Sequence, residues 1–273
     1  MIEIFGYIAA VFIGITLGLI GGGGSILTVP VLVFLFKIKP TSATAYSLFI
    51  VGITSGIGSI PFFKRKLVCV QTAVVFGIPS IIAVFSTRAF LLPLLPETFI
   101  SISSFTLTKD IFIMILFASL MIVTSFSMIK KSKKSVLEEP LLHQDSITKD
   151  FNYKLILLEG TIVGALTGLV GAGGGFLIIP ALVILGKLPM KKAVGTSLVI
   201  IFSKSLIGLL GEPLLRGSDF QWVIVLKCTF MAVLGISLGS FLSTKIDGTK
   251  LKPAFGYFVL VMGFYIFVKE IFF

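Results

Sequence analysis

Gly164-Ala-Leu-Thr-Gly168-Leu-Val-Gly171-Ala172-Gly173-Gly174-Gly175-Phe-Leu-Ile-Ile-Pro180 is the stretch on which the reading of this chain turns. An earlier stretch, Gly14-Ile-Thr-Leu-Gly18-Leu-Ile-Gly21-Gly22-Gly23-Gly24-Ser25-Ile-Leu-Thr-Val-Pro30, has the same pattern at a constant offset of 150 residues. Both glycine runs sit inside apolar sequence, where unpaired backbone is costly. A membrane protein that breaks two matched helices with glycine is exposing backbone to something it moves.

The surrounding composition is that of a membrane protein. Of 273 residues, 56% are hydrophobic and only 13% charged, against about 25% charged in soluble domains. Continuous apolar segments recur at 4–36, 42–62, 68–92, 110–129, 154–186, 193–211, 220–244 and 253–272. A helical span needs about 20 such residues. Barrel-type alternation is absent, so the spans are helices. The N-terminus does not read as a cleaved signal: residues 1–20 hold no Lys or Arg. The net charge of +11 comes mostly from loop residues such as Lys64-Arg65-Lys66 and Lys130-Lys131-Ser-Lys133-Lys134, which orient helices and meet anionic lipid. No basic stripe interleaved with aromatics argues for nucleic acid. Cys69 and Cys228 have no metal-type spacing and read as small buried residues.

The repeat continues past the glycine runs: Ala43-Thr-Ala-Tyr46-Ser47-Leu48 matches Ala193-Val-Gly-Thr196-Ser197-Leu198, Ser55 matches Ser205 and Gly58 matches Gly208. The fold class is therefore an all-α polytopic membrane protein. It has two homologous repeats of about four apolar segments, the first segment of each broken at its glycine run. Residues 1–129 form the N-terminal transmembrane repeat, the polar stretch 130–153 a linker, and 154–273 the C-terminal transmembrane repeat. A helix over 4–36 would be about 50 Å long, more than the ~30 Å hydrocarbon core. Either this segment spans with a broken end, or it enters and leaves on one side. With all eight segments crossing, Lys and Arg divide 12 against 10, intramembrane Lys204 aside; with segments one and five re-entrant they divide 15 against 7. The linker is on the richer side both ways, which places it in the cytoplasm. The second count is the stronger bias, and three crossings per half would invert the repeats.

Candidate functional residues follow from the breaks. Gly22, Gly23, Gly24 and Ser25 in one repeat, and Gly173, Gly174 and Gly175 in the other, precede short helices whose first N–H groups attract anions. Gly14, Gly18, Gly164 and Gly168 read instead as close helix packing. No phosphate-loop Gly-Lys-Ser/Thr follows either run. Lys204 lies mid-segment, where a lone charge costs at least about 2.5 kcal/mol and marks a function by default. Its repeat counterpart is Thr54. Hydroxyls surround both positions: Ser197 and Ser205 beside Lys204, Ser47 and Ser55 beside Thr54, with Thr196 opposite Tyr46 in the repeat. Each can donate to an oxyanion or bond a carbonyl one turn back. All twelve acids lie in loops or near segment ends; Glu159 and Glu212 read as interfacial decoration, with proton coupling the alternative, and Arg88 and Lys245, which end equivalent spans, read as helix-end anchors, with attraction of anions at a mouth the alternative. Cation carriers keep carboxylates in the membrane. This chain keeps a lysine, so the cargo should be an anion.

The doubled Gly-Leu-x-Gly-x-Gly-Gly-Gly/Ser-x-x-x-x-Pro pattern, followed by Ala-x-x-Thr/Tyr-Ser-Leu, resembles the TauE/SafE sulfite exporters of the toluene-sulfonate-uptake permease group. The resemblance covers residues 5–270. It implies a transporter of the bacterial or archaeal inner membrane for sulfite, sulfoacetate or other organosulfonates, often moved outward. It places the site at Gly22–Gly24, Ser47, Gly173–Gly175 and Ser197; Lys204 is added from its intramembrane charge. The first copy reads Gly-Gly-Gly-Gly where the second has Gly-Ala-Gly-Gly-Gly, so the half-sites need not be equivalent.

The expectation is a secondary transporter, without cofactor or metal, that exports a small sulfur-containing anion across the bacterial inner membrane by alternating access. Its partners are that anion and the lipid bilayer, and the sequence leaves a homo-oligomer open. An anion channel, or a carrier taking up a different organic anion, are the competing readings. An enzyme is disfavoured, because no span holds a His, Asp or Glu at its centre.

Overall fold

The computed structural model describes residues 2–102, 105–129, 153–184, 186, 188–216, 220–243 and 248–272. Linker residues 130–152 and Lys245 lie outside the described residues, and the linker's last residue, Tyr153, already belongs to a helix. The chain is helical, as its composition requires. Helix α1 covers Ile2–Ile20, a 3₁₀ turn Gly22–Leu27, α2 Thr28–Phe34, α3 Pro40–Lys64 and α4 Val70–Ser86. A π-helical turn, Thr87–Leu91, extends α4 into the short α5, Leu92–Leu94. Next come α6 (Lys109–Ile129), α7 (Tyr153–Val170), α8 (Gly175–Ile184), α9 (Met190–Leu210), α10 (Trp222–Leu242) and α11 (Gly248–Phe272). Seven helices among the described residues are long and apolar enough to cross a membrane; Gly22–Phe34 and Leu155–Val170 are shorter. Large apolar side chains such as Phe5, Phe12, Phe90, Phe126, Phe230 and Phe264 stand exposed on the outside, as lipid demands.

One element departs from the all-helical expectation. Thr98–Ile102 and Phe105–Thr108 pair as a small antiparallel hairpin, β1–β2, ahead of α6. The alternation in Thr98-Phe-Ile-Ser-Ile-Ser-Ser-Phe-Thr-Leu-Thr is a strand signal that the surrounding helical hydropathy hides.

The broken first segment turns back on itself. Gly24 lies against Thr16 and Leu17, and Phe36 lies against Gly6, with its ring 5.3 Å from that of Tyr7. The stretch 22–36 therefore returns alongside α1, and the chain leaves this hairpin near where it entered. In the second repeat the chain turns at Gly171–Gly174, bringing Gly174 against Thr167, and α8 packs mainly on the first break and on α9. Of the two geometries weighed above, the packing of the first segment is that of a hairpin.

The halves interlock rather than stand side by side. α3 crosses α9 antiparallel: Leu48 meets Gly208, Gly52 meets Leu206, Gly56 meets Phe202 and Gly58 meets Leu198. α6 and α11 also run antiparallel, with Gly263 against Met121 and Gly256 against Met128. α1, by contrast, packs parallel to α10 of the other repeat, and α7 parallel to α4. Glycines let these backbones touch: Gly14 and Gly18 face Gly235 and Gly239, and Gly160, Gly164 and Gly168 face Phe76, Ser80 and Thr87. Caps cross between the halves as well. Tyr46 Oη accepts the N–H of Gln221 at the start of α10 at 3.0 Å, and Thr196 Oγ1 accepts the N–H of Cys69 at the start of α4 at 2.9 Å. Asp110 of α6 accepts from both N–H and Oγ1 of Thr41 at the start of α3. Cys228 is buried as expected, whereas Cys69, at that helix start, is only half-buried.

These contacts separate two kinds of glycine. Gly235→Leu drives a side chain into the Val11 and Gly14 backbone, and its thermal midpoint in detergent should fall by about 3–8 °C. Gly77→Ala meets only Ile200, at 3.9 Å, and should stay within about 2 °C of the parent.

Candidate functional site

The two glycine breaks meet at the centre of the molecule. A methyl group on Gly22 would collide with the Cα of Gly175, and one on Gly175 with the Gly22 backbone. Residues 21–30 of the first break and 170–176 of the second are all buried. α3 and α9 form the floor: Gly22 and Gly173 lie against Ile201, and Gly173 also lies 2.6 Å from Val51 Cγ1, as judged by an added Cβ.

The two breaks are not alike. In the first, only Gly21 has a positive φ (77°), and the 3₁₀ turn starts at once, with the Gly24 N–H donating to Gly21 O at 3.4 Å. Ser25 Oγ is drawn into that turn, donating to Gly22 O at 2.7 Å. In the second, α7 ends where the Gly171 N–H donates to Thr167 O at 2.8 Å, and bonding resumes with the Leu177 N–H to Gly174 O at 3.0 Å. Between them Gly171, Gly173 and Gly174 all take positive φ (71°, 63° and 68°). Only glycine holds such a run without strain, and it leaves peptide N–H groups clear of a regular ladder.

Lys204 points into this second break. It is 1% exposed, and its Nζ donates to Thr167 Oγ1 at 3.0 Å. A Cβ on Gly174 would lie 2.7 Å from that Nζ, and one on Gly173 would lie 3.6 Å from Ser205 Oγ. The hydroxyl of Ser205 is buried and has no hydrogen-bond partner among the described residues; the same holds for Ser47 and Ser55. No acid pairs with Lys204 among the described residues. The structure thus brings together Gly22, Gly173, Gly174, Gly175, Lys204 and Ser205.

Other candidates are committed elsewhere. Thr54 Oγ1 donates to Ile50 O at 2.6 Å, and Ser197 Oγ to Val194 O at 2.8 Å, each within its own helix. Thr196 caps α4, as described. Gly23 packs on Ile20 and Met128 rather than on the opposite break.

Three residues of this region were not anticipated in their present roles. Thr167, inside the repeated motif itself, is the partner of Lys204. Arg88 and Glu212 are not a helix-end anchor and an interfacial carboxylate. Arg88 is fully buried, Glu212 is 7% exposed, and Arg88 Nη1 donates to Glu212 Oε2 at 2.7 Å. Segment-end positions look solvated in sequence; the pair is buried because α4 continues through its π turn beside the end of α9. The only signal was that opposite charges terminate two spans, which distance along the chain conceals.

Comparison with known proteins gives a consistent result. Residues 7–266 match the family described as "Sulfite exporter TauE/SafE". A "Probable membrane transporter protein" of Xylella fastidiosa (strain Temecula1) is 27% identical over 257 residues, covering 93% of this chain and 90% of that one. "Probable membrane transporter protein YunE" of Bacillus subtilis is 28% identical over 260 residues, covering 88% and 90%. "Sulfite exporter TauE/SafE family protein 6" of Arabidopsis thaliana is 28% identical over 109 residues, 38% of this chain and 25% of that protein. No solved structure matches the chain.

The geometry distinguishes glycines within one motif. Gly174→Ala sets a side chain at φ 68° against Thr167 and Lys204 Nζ and should reduce transport at least about tenfold. Gly23→Ala meets only side-chain atoms, of Ile20 at 3.2 Å and Met128 at 3.7 Å, and should keep most of the activity. Solute flux into proteoliposomes, normalised to reconstituted protein, compares the two.

Proposed function

Because the chain belongs to the TauE/SafE sulfite exporter family and is a multi-pass membrane transporter, we propose that it moves a small sulfur-containing oxyanion, sulfite or an organosulfonate, through the space between its two glycine breaks. The observation that carries this reading is Lys204: a buried ammonium, without an acidic partner among the described residues, beside glycine backbone and a free serine hydroxyl. An unpaired buried cation is costly, and a bound anion offsets that cost.

In this reading Lys204 balances the charge of the cargo. Ser205 and the N–H groups around Gly173 and Gly174 donate to its oxygens. Thr167 holds the ammonium when no cargo is present. Gly22, with the unpartnered hydroxyls of Ser47 and Ser55, supplies the facing half-site, while Ser25, Thr54, Thr196 and Ser197 keep their backbone bonds and Gly23 and Gly24 let the break pack. The contact of Gly22 with Gly175 makes the conformation described here a closed one, so binding requires the breaks to part. The antiparallel crossings of α3 with α9 and of α6 with α11 support inverted repeats, the architecture that exchanges access by rocking about a central site. With the linker in the cytoplasm, the inside-negative potential favours outward movement by about 2.3 kcal/mol per charge per 100 mV. Export of an anion then needs no coupling ion.

Counterflow in proteoliposomes with a panel of sulfite, sulfoacetate, sulfate and acetate tests the reading. A sulfur oxyanion should exchange with saturation, and Lys204→Met should lower the exchange at least about tenfold. Exchange that persists in Lys204→Met removes the lysine from the mechanism. Movement of carboxylates alone, or current without saturation, replaces the cargo or the carrier mechanism respectively.

A further inference from the structure

Arg88, like Lys204 a cation with almost no exposure, is only partly used. Its Nη1 meets Glu212, while Nε and Nη2 have no hydrogen-bond partner among the described residues, although the side chain is 0% exposed. Nε and Nη2 form the side-on edge of the guanidinium, the edge whose parallel N–H groups fit two oxygens of one oxyanion. A pair selected only to staple helices would not leave that edge bare in a dry interior, because buried donors without partners are costly.

The position of Arg88 matches its chemistry. It sits in the π turn Thr87–Leu91, a distortion that recurs at functional sites. Thr87, its neighbour, packs on Gly168, and Gly168 adjoins Thr167, the partner of Lys204. Glu212 lies two residues past the end of α9, whose last residue, Leu210, is about 9 Å beyond Lys204 along the axis. α4 and α9 run parallel here, with Val84 against Gly208 and Phe85 against Gly211. α7 leaves the linker and approaches the break from that side. The Arg88–Glu212 pair is therefore reached from Lys204 by moving away from the linker. The position matching Glu212 in the first repeat is Phe62, so the ion pair has no equivalent there.

We propose that Arg88 is a second oxyanion-binding group, latched to Glu212 in the closed conformation and offering its Nε/Nη2 edge to cargo that passes between the Lys204 pocket and the face opposite the linker. The proposal rests on the anion reading above and adds a gate to it. Glu212 competes with cargo for the guanidinium, so arrival of the anion loosens the link between α4 and α9. The cargo class is an anion with two oxygens on one centre, a sulfonate or sulfite.

Anion-dependent thermal stabilisation of the purified protein, with counterflow beside it, tests the proposal using sulfite, methanesulfonate, sulfate and acetate as probes. Glu212→Gln should bind sulfite several-fold more tightly than the parent, because the competing carboxylate is gone. Arg88→Lys, which keeps the charge and loses the edge, should bind about tenfold more weakly. So should the neutral double variant Arg88→Met/Glu212→Gln, whose midpoint without anion should remain close to the parent's. If that double variant fails to fold, Glu212→Gln and Arg88→Lys decide the matter. Parent-like binding and exchange in Glu212→Gln and Arg88→Lys, with Lys204→Met inactive, would reduce Arg88 to a staple and leave the Lys204 reading standing. The same pattern of variants seen with acetate alone upholds Arg88 and overturns the sulfur cargo. Stabilisation by none of the four anions overturns both.

Discussion

Backbone amides have no partners in lipid, and everything else in this fold follows from that constraint. A helix crossing the membrane can be interrupted only where protein covers the gap. Here two interruptions cover each other, Gly22 lying on Gly175. The contact is so close that no side chain fits on either residue. It also fixes how the halves assemble. Each broken segment must reach the centre, so α1 packs on α10 and α7 on α4, each across the repeat boundary. Gly23 and Gly24 pack within their own half, on Ile20, Met128, Thr16 and Leu17, whereas Gly21 and Gly22 are covered by the other half.

The same constraint concentrates charge. Among the described residues, Arg88, Lys109 and Lys204 are buried against a single buried acid, Glu212; Lys109, at the start of α6, lies 3.9 Å from the exposed Glu97. That carboxylate is committed to Arg88, which leaves Lys204 with a neutral partner, Thr167. An interior with an excess of positive charge and loosened backbone amides is suited to an anion. The two breaks share this work unequally. The first closes into a 3₁₀ turn, while the second strings three positive-φ glycines beside the lysine.

Much of this was legible in the residues. The helices α3, α4, α6, α9, α10 and α11 fall within a few positions of the apolar segments, because about 20 apolar residues in a row have one stable form in a bilayer. Lys204 stood out because a lysine amid Val, Ile and Phe has no cheap explanation. The hydroxyls were less legible. Thr54 and Ser197 bond their own helices while Ser205 stays free, and rotamer and crossing geometry decide this rather than residue type. The strand signal at 98–108 was present but lay beneath the helical hydropathy around it.

The sequence alone determined the membrane-spanning helices, the repeat, its two breaks and the lone central cation, since each depends on local composition or on spacing along the chain. Only the tertiary structure decided that the first broken segment is a hairpin and that α3 and α9 run antiparallel. It alone paired Arg88 with Glu212, 124 residues away along the chain, and aimed Lys204 at one break and not the other. Those outcomes depend on which surfaces of the two halves interlock, and local sequence carries no record of that choice.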